Sequence, residues 1–407
     1  MKNVAVIGAG AAGLMAAYAA AKNGHNVTVF EKNEKCGKKI YITGKGRCNV
    51  THDCDEREFL QNIVSNPKFM TGAIYNFSPE LTVRFFEEGG LKLKTERGAR
   101  IFPASDKASD VTKCLENYCK NYGVNFKFNE KVLKIDIFQS IMSHIITEKD
   151  KYQFDCAIVC TGGISYPLTG STGDGYKFAK EAGHNIIPLK PGLCGLNLKG
   201  SFFKVLQGLS LKNVALTVYN GEKTVKRFFG EMLFTHYGVS GPIVLSASSL
   251  INRLELGQIK LALDLKPALS NEQLDKRILR DFDTYKNKAL ANCLKDLLPS
   301  AIIPEVLNRS GIDGDKQVNS VTKAERASLL TNIKNFDMLV ASLRGFDEAI
   351  ITCGGVDVRQ INSKTMESKL VKGLYFCGEV LDLDAFTGGF NLQIAFSTGF
   401  AAGNSIV

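Results

Sequence analysis

The 407-residue chain has no apolar run near the ~20 residues of a membrane-spanning helix, so an integral membrane protein is not expected. It has no C-x-x-C pair: among 11 cysteines the closest spacings are Cys156/Cys160 and Cys114/Cys119. That disfavours a zinc ribbon or a redox-active dithiol. An odd, scattered count is unlike a secreted disulfide framework, so a cytoplasmic location is expected, with most cysteines acting as small buried hydrophobes. There is no H-E-x-x-H and no Cys/His cluster, so no metal site is expected. Gly238-Val239-Ser240-Gly241-Pro242 has proline where a serine nucleophile elbow needs its second glycine. There is no internal repeat and no low-complexity tract. Acidic residues are in deficit, 41 against 51 Lys and Arg, a net charge of +10. Such an excess favours an anionic partner, either nucleic acid or a phosphorylated cofactor.

What is present is a folded chain, 44% hydrophobic and 23% charged, long enough for two or three domains. Met1-Lys2-Asn3-Val4 leads straight into Val4–Ile7 and reads as strand rather than signal peptide. Val4-Ala5-Val6-Ile7 is continuously apolar, as a strand covered on both faces should be. Gly8-Ala9-Gly10-Ala11-Ala12-Gly13 follows, then helix formers from Leu14 to Lys22, Gly24, and a second strand over Asn26–Phe30 ended by Glu31. This is a β-α-β unit. Cys156–Cys160 and Gly373–Cys377 read as further buried strands, Val124–Lys131 as strand-like, and Gln393–Ala402 as the last helix. The fold class is α/β: a doubly wound, Rossmann-like domain built from both ends of the chain. Between them, Val214–Tyr219, an Asn220-Gly221 turn and Ile259–Leu263 suggest an inserted β-barrel-like domain. Ser270 with Gln273 resembles a capping box opening a helical subdomain, and Phe336–Leu343 reads as a returning strand. The expected boundaries are 1–190 and 346–407 for the dinucleotide domain, 191–268 and 333–345 for the β domain, and 269–332 for the helices.

The glycine loop has strand before it, helix after it, and an acid eighteen positions beyond its last glycine. Gly8 permits the tight turn, Gly10 lets backbone approach a pyrophosphate, and Gly13 allows close helix–strand packing. The amides at Ala11 and Ala12 open the helix towards phosphate. Glu31, an acceptor only, suits both ribose hydroxyls and disfavours a 2′-phosphate. Glu31-Lys32 through Lys39, then Thr43-Gly-Lys-Gly46-Arg47-Cys48-Asn49-Val50-Thr51, forms a long, basic, Gly-rich stretch. It suits a ligand running past the first phosphate, and so favours FAD over NAD.

Five stretches carry a resemblance: Gly8–Gly13; Gly44–Asn49; Thr161–Pro167 with Thr169–Asp174; Phe234–Pro242; and Gly354–Val356 through Gly378-Glu379 to Thr387–Gln393. In order and over nearly the whole chain, they resemble the FAD-dependent oxidoreductase family containing YhiN, BaiN (a bile-acid enone reductase) and aminoacetone oxidase. The resemblance implies that Glu31 and Lys32 lie at the adenosine end, Lys39 and Gly46–Thr51 along the FAD, and Val132 at the adenine. It places Thr161 and Gly162 in the FAD site, Gly378 and Glu379 at the pyrophosphate–ribityl region, and the amides of Asn391 and Leu392 near flavin N1/O2. A reduced flavin is negative there, and a helix N-terminus would stabilise it.

Above the flavin, the first candidates are His236 and Tyr237, as proton donor and carbonyl polariser. The alternative is two hydrogen-bonded packing residues. Tyr166 and Thr387 are pocket candidates. Arg47 reads as a phosphate ligand before a substrate ligand, Cys48 as packing, and His25, His52, His144 and His184 as surface or packing residues. The expected reaction is NAD(P)H-linked reduction of an activated C=C bond in a small molecule, possible substrates being steroid-like enones. NADH or NADPH would bind transiently, because there is no clear second glycine fingerprint. An aminoacetone-type amine oxidase using oxygen is the second reading, and an RNA-associated flavoprotein the third. With no RNA-reading motif, no nucleic-acid partner is expected, and the oligomeric state is left open.

Overall fold

A computed structural model describes residues 1–407. Strands Asn3–Ile7, Asn26–Glu31, Cys156–Val159 and Leu374–Phe376 are almost wholly buried, having no polar face to offer water. With Asn125–Phe128 they form one parallel sheet, in the order Leu374–Phe376, Cys156–Val159, Asn3–Ile7, Asn26–Glu31, Asn125–Phe128. Ile7 lies beside both Phe30 and Val159, and Val159 beside Phe376. The loops after these strands, at Gly8, Glu31, Cys160 and Cys377, therefore open along one edge. The direction in which strands are added reverses about Asn3–Ile7, where a doubly wound sheet holds its ligand.

Helix Ala11–Lys22 is buried from Ala11 to Ala21. It packs against the last helix, Phe390–Asn404, through small residues. A Cβ on Gly399 would lie 2.3 Å from the Ala12 carbonyl oxygen, and one on Gly403 2.2 Å from that of Ala16. The last helix starts three residues before the expected Gln393, because Gly389 at φ +98° makes the turn into it. The strand-like run Val124–Lys131 is strand only over Asn125–Phe128. Asn129 turns the chain at φ +48°, and Val132–Phe138 starts a separate antiparallel sheet.

Residues 1–192 and 346–407 make this unit, and 193–345 make a second. The second contains a closed, six-stranded antiparallel barrel of Leu196–Leu198, Gly238–Ser240, Lys223–Thr235, Ser210–Asn220, Ile259–Asp264 and Phe336–Leu343, in that order around the barrel. Helix Asn271–Thr284 begins with the reciprocal Ser270/Gln273 capping box. Leu274, Ile278, Val306, Leu329 and Ile333 of the helices join Leu216, Phe234, Leu263 and Phe336 of the barrel in one apolar cluster. Helices and barrel thus share a single core.

Candidate cofactor site

Each glycine of the first loop has its own steric reason. Gly8 has φ +101°, and a Cβ there would sit 2.7 Å from the Cys160 carbonyl oxygen. A Cβ on Gly13 would lie 1.9 Å from the Gly8 carbonyl oxygen, so strand and helix meet only because both residues lack side chains. Gly10 has an ordinary φ of −83°, and nothing lies within 4 Å of where its Cβ would be. Its glycine therefore keeps space open rather than relieving a contact. No side chain caps the helix that starts at Ala11, so first-turn amides face that space without helical acceptors. Glu31, 8% exposed, is fixed beside it. Its Oε2 accepts the Ala9 amide at 2.9 Å, and its Oε1 accepts the Asn33 amide at 2.8 Å and Asn33 Nδ2 at 2.7 Å.

Segment 169–174 folds onto the turn after Glu31. Lys32 Nζ donates to Asp174 at 2.7 Å and to Thr172 at 2.5 Å, and Asn33 Nδ2 donates to the Thr169 carbonyl at 3.2 Å. Burial alone would raise the Asp174 carboxyl, but the Lys32 hydrogen bond and the Lys32 and Lys131 charges hold it below its ordinary value. The amide of Glu130 donates to the Glu31 carbonyl at 3.1 Å, which brings the start of Val132–Phe138 to this end of the site.

Lys39 reaches a polar cluster assembled from distant segments. It pairs with Glu379 at 2.7 Å and donates to Ser165 Oγ at 2.6 Å. Ser165 Oγ and the Thr352 amide in turn donate to Glu379, at 2.9 and 2.8 Å. Gly378 donates its amide to Thr398 Oγ1 at 2.9 Å and packs on Ala12, 2.8 Å from where a Cβ would be.

Residues 43–51 are shaped by left-handed backbone at Gly44, Lys45, Gly46 and Cys48. Arg47 lies 4.3 Å over the Phe102 ring and is held by Glu96 and Asp106, so its charge is matched within the protein. Cys48 is fully buried, and burial pushes its thiol up to about 12; it is a neutral packing group near pH 7. The Val50 amide donates to the Ile101 carbonyl at 2.8 Å. Thr51 Oγ1 donates to buried Gln393 at 2.6 Å, and a Cβ on Gly389 would lie 2.6 Å from the Thr51 carbonyl. The early segment and the closing helix are thereby locked together. No side chain caps that helix either. Asn391 turns its side chain back to Ala385, accepting its amide at 3.0 Å and donating to its carbonyl at 2.9 Å, while its own amide and that of Leu392 remain in the first turn. His52, expected as a surface or packing residue, bonds the Gly388 carbonyl through Nδ1 at 3.0 Å and stacks on Phe390 at 4.5 Å.

Two buried polar atoms in these motifs have no partner: Asn49 Oδ1 and Thr161 Oγ1. Thr161 precedes Gly162, at φ +69°. Orphaned buried polar atoms are rare in folded proteins, and such an atom is free to bond a ligand or a water molecule. With two uncapped helix starts, open space at Gly10 and a fixed carboxylate, they fit an extended dinucleotide bearing a pyrophosphate, as FAD does. Ser165, Thr352, Gln393 and Thr398 join the site through tertiary contacts; Ser165 and Gln393 lie within the resembling stretches Thr161–Pro167 and Thr387–Gln393, whereas nothing in the local sequence of Thr352 and Thr398 singles them out.

His236 and Tyr237 belong to the other unit, 193–345. They form the turn between Lys223–Thr235 and Gly238–Ser240. His236 is exposed, while the Tyr237 ring packs 4.5 Å from the Arg344 guanidinium and fills the space a side chain at Gly195 would need. The two rings meet edge to face at 5.0 Å.

Residues 2–405 match the HI0933-like protein Rossmann domain family. The chain is 32% identical to the ribosomal RNA dihydrouridine synthase of Haemophilus influenzae, over 98% of this chain and 97% of that one. It is 30% identical to the 3-dehydro-bile acid delta(4,6)-reductase of Clostridium scindens, over 100% and 99%. Among solved structures, a 3-ketosteroid-delta4-(5alpha)-dehydrogenase from Rhodococcus jostii RHA1 shares the fold at a TM-score of 0.52 and 14% identity, over 99% of this chain and 96% of that one. No helix is long and apolar enough to cross a membrane. The chain belongs to the HI0933-like Rossmann family and is an FAD-dependent oxidoreductase.

Proposed function

We propose that the protein reduces a carbon–carbon double bond conjugated to a carbonyl, and that it takes this bond as the 5,6 bond of a uracil ring in RNA. The observation that carries the choice of substrate is the placement of charge. Unit 193–345 holds 21 Lys and Arg against 14 Asp and Glu, whereas the dinucleotide unit holds 30 against 27. A small apolar enone has no use for such an excess, and a polyanion does. No RNA-reading motif stands in the sequence, and the expectation from it alone is no nucleic-acid partner. The H. influenzae relative, and one from Escherichia coli at 29% identity with the same printed name, support RNA all the same. Uracil and a steroid enone present the same conjugated bond, so the chemistry is unchanged and only the carrier differs. The second reading is a small steroid-like enone, favoured by the bile-acid reductase relative.

Bound in the cradle, FAD supplies two-electron hydride chemistry. The amides of Ala11, Ala12 and Gly13 would hold its phosphate, and Glu31 its ribose hydroxyls. The first turn of Phe390–Asn404 would stabilise negative charge on its ring. His236 is the proposed proton donor, and Tyr237, packed on Arg344 and Gly195, fixes the turn that carries it.

The test is anaerobic mixing of the yellow protein with NADH or NADPH, followed by protein-free ribosomal RNA or a steroid enone. Bleaching by a nicotinamide and recolouring by RNA, with dihydrouridine in the product digest, is expected. Recolouring by the enone alone replaces this reading with the second. Bleaching only by an amine would make the protein an amine oxidase.

A further inference from the structure

The longest hairpin of the barrel joins Ser210–Asn220 to Lys223–Thr235. Val214, Leu216 and Val218 point into the barrel core, so Ala215 and Thr217 lie on the opposite face of the sheet, where Ala215 is covered and Thr217 half-buried. There Ala215 pairs with Phe229, and Thr217 with Arg227. Phe229 is 63% exposed in the middle of a well-ordered strand, where a solvent face ordinarily carries polar residues.

Its neighbours are cationic. From Lys199 to Glu231 there are six basic residues (Lys199, Lys204, Lys212, Lys223, Lys226, Arg227) and two acids, Glu222 and exposed Glu231. Lys212 and Lys223 are exposed and make no ion pair. Arg227 shares Asp264 with Lys334 and stays 57% exposed. The helical part of the unit differs: Arg277, Arg309, Lys316 and Arg326 each have a carboxylate, from Asp281, Glu305, Glu325 and Asp275. Residues 199–231 thus carry four of the unit's seven excess positive charges. Lys212 and Lys223 are separated along it by roughly 27 Å of strand rise, a length for several nucleotides rather than one.

An exposed aromatic ring on a strand that also carries exposed cations is what a single-stranded nucleic acid recognises: bases stack on the ring while phosphates neutralise the lysines. We propose that this hairpin face, Phe229 with Lys212, Lys223 and Arg227, docks a single-stranded segment of the RNA substrate. The proposal rests on the RNA reading above and names the surface that reading needs. A second copy of the chain is a poor occupant, because it would present the same positive face.

The experiment uses the full-length, FAD-loaded protein and a labelled RNA hairpin with a uridine-rich loop, with Kd measured over a range of salt. Phe229→Ala should weaken binding roughly tenfold to a hundredfold. Lys212→Gln and Lys223→Gln should each flatten the slope of log K against log salt by about 0.7–0.9, and a control, Lys276→Gln on the helical part, should leave it unchanged. Melting temperature and flavin spectrum should not move in any variant. If all variants bind as the wild type does, while the wild type still forms dihydrouridine, the docking face is wrong and the RNA reading stands. If the wild type binds no RNA, both fall. If Phe229→Ala instead dissociates an oligomer with RNA affinity intact, the patch is a self-contact and the proposal is overturned.

Discussion

Replacing Gly10 and Gly13 by alanine, one at a time, should separate cofactor binding from folding. At Gly13 the new methyl would lie 1.9 Å from the Gly8 carbonyl oxygen, about 1.5 Å inside normal contact. Neither side can yield cheaply, since the helix is buried from Ala11 to Ala21 and the loop lies against Cys160. Overpacking of this kind costs about 1–3 kcal/mol or more, offset by up to ~1 kcal/mol because alanine is the better helix former. A melting temperature lower by about 3–8 °C is expected, with loss of flavin. At Gly10 the methyl meets nothing within 4 Å, and φ −83° suits alanine. The entropy gain from removing a glycine and the weaker helix start roughly cancel, leaving stability within about 1 kcal/mol. The methyl would, however, occupy the space assigned to pyrophosphate. Each charge-assisted amide bond lost there costs about 1.5–3 kcal/mol, so FAD should bind roughly tenfold to a hundredfold more weakly. The assay is the ratio of flavin to protein absorbance after dialysis, followed by melting with and without added FAD. A Gly10→Ala protein that keeps its flavin as the wild type does would refute the assignment of this loop to the pyrophosphate.

Thr51→Val leaves Gln393 Oε1 buried without its donor and should destabilise by about 1–3 kcal/mol in urea unfolding. Asp174 has a folded pKa below its unfolded value, so its contribution is complete above the unfolded pKa near 4 and is lost as pH falls through the lower folded value. Asp174→Asn should therefore melt lower than wild type at pH 6, with the gap closing as pH falls below the unfolded pKa near 4 and through the lower folded one. Titration of native protein with a thiol reagent at pH 8 should find no fast equivalent at Cys48, whose thiol is pushed up to about 12. Rapid labelling there would show an opening that the buried structure does not contain. His236→Asn should retain flavin and nicotinamide bleaching but slow recolouring by substrate at least tenfold, as expected for loss of a positioned proton donor.

The dinucleotide half was legible because its signals are local. A continuous apolar tetrapeptide, a glycine spacing and one carboxylate at Glu31 each act through residues close in sequence. The capping box at Ser270 and the strand Phe336–Leu343 were readable for the same reason. Boundaries set by turns were less so. The last helix begins at Phe390 because Gly389 adopts φ +98°, and Asn129 at φ +48° cuts the strand-like run at Phe128. No sequence pattern around those residues fixes these angles.

Side-chain commitments were decided by tertiary structure alone. Arg47 looks like a phosphate ligand in sequence, yet Glu96 and Asp106, about fifty residues away, match its charge. Lys39 meets Glu379 across 340 positions, and Thr51 meets Gln393 across 342. Such pairings depend on which loops the sheet brings to its carboxyl edge, and that follows from strand order. The linear chain therefore dictates the nucleotide-binding unit, because steric exclusion and apolar burial act through near neighbours. Only the folded chain decides which polar groups are already satisfied and which, like Asn49 Oδ1 and Thr161 Oγ1, stay without a protein partner, because hydrogen bonding is settled between residues that folding alone brings together.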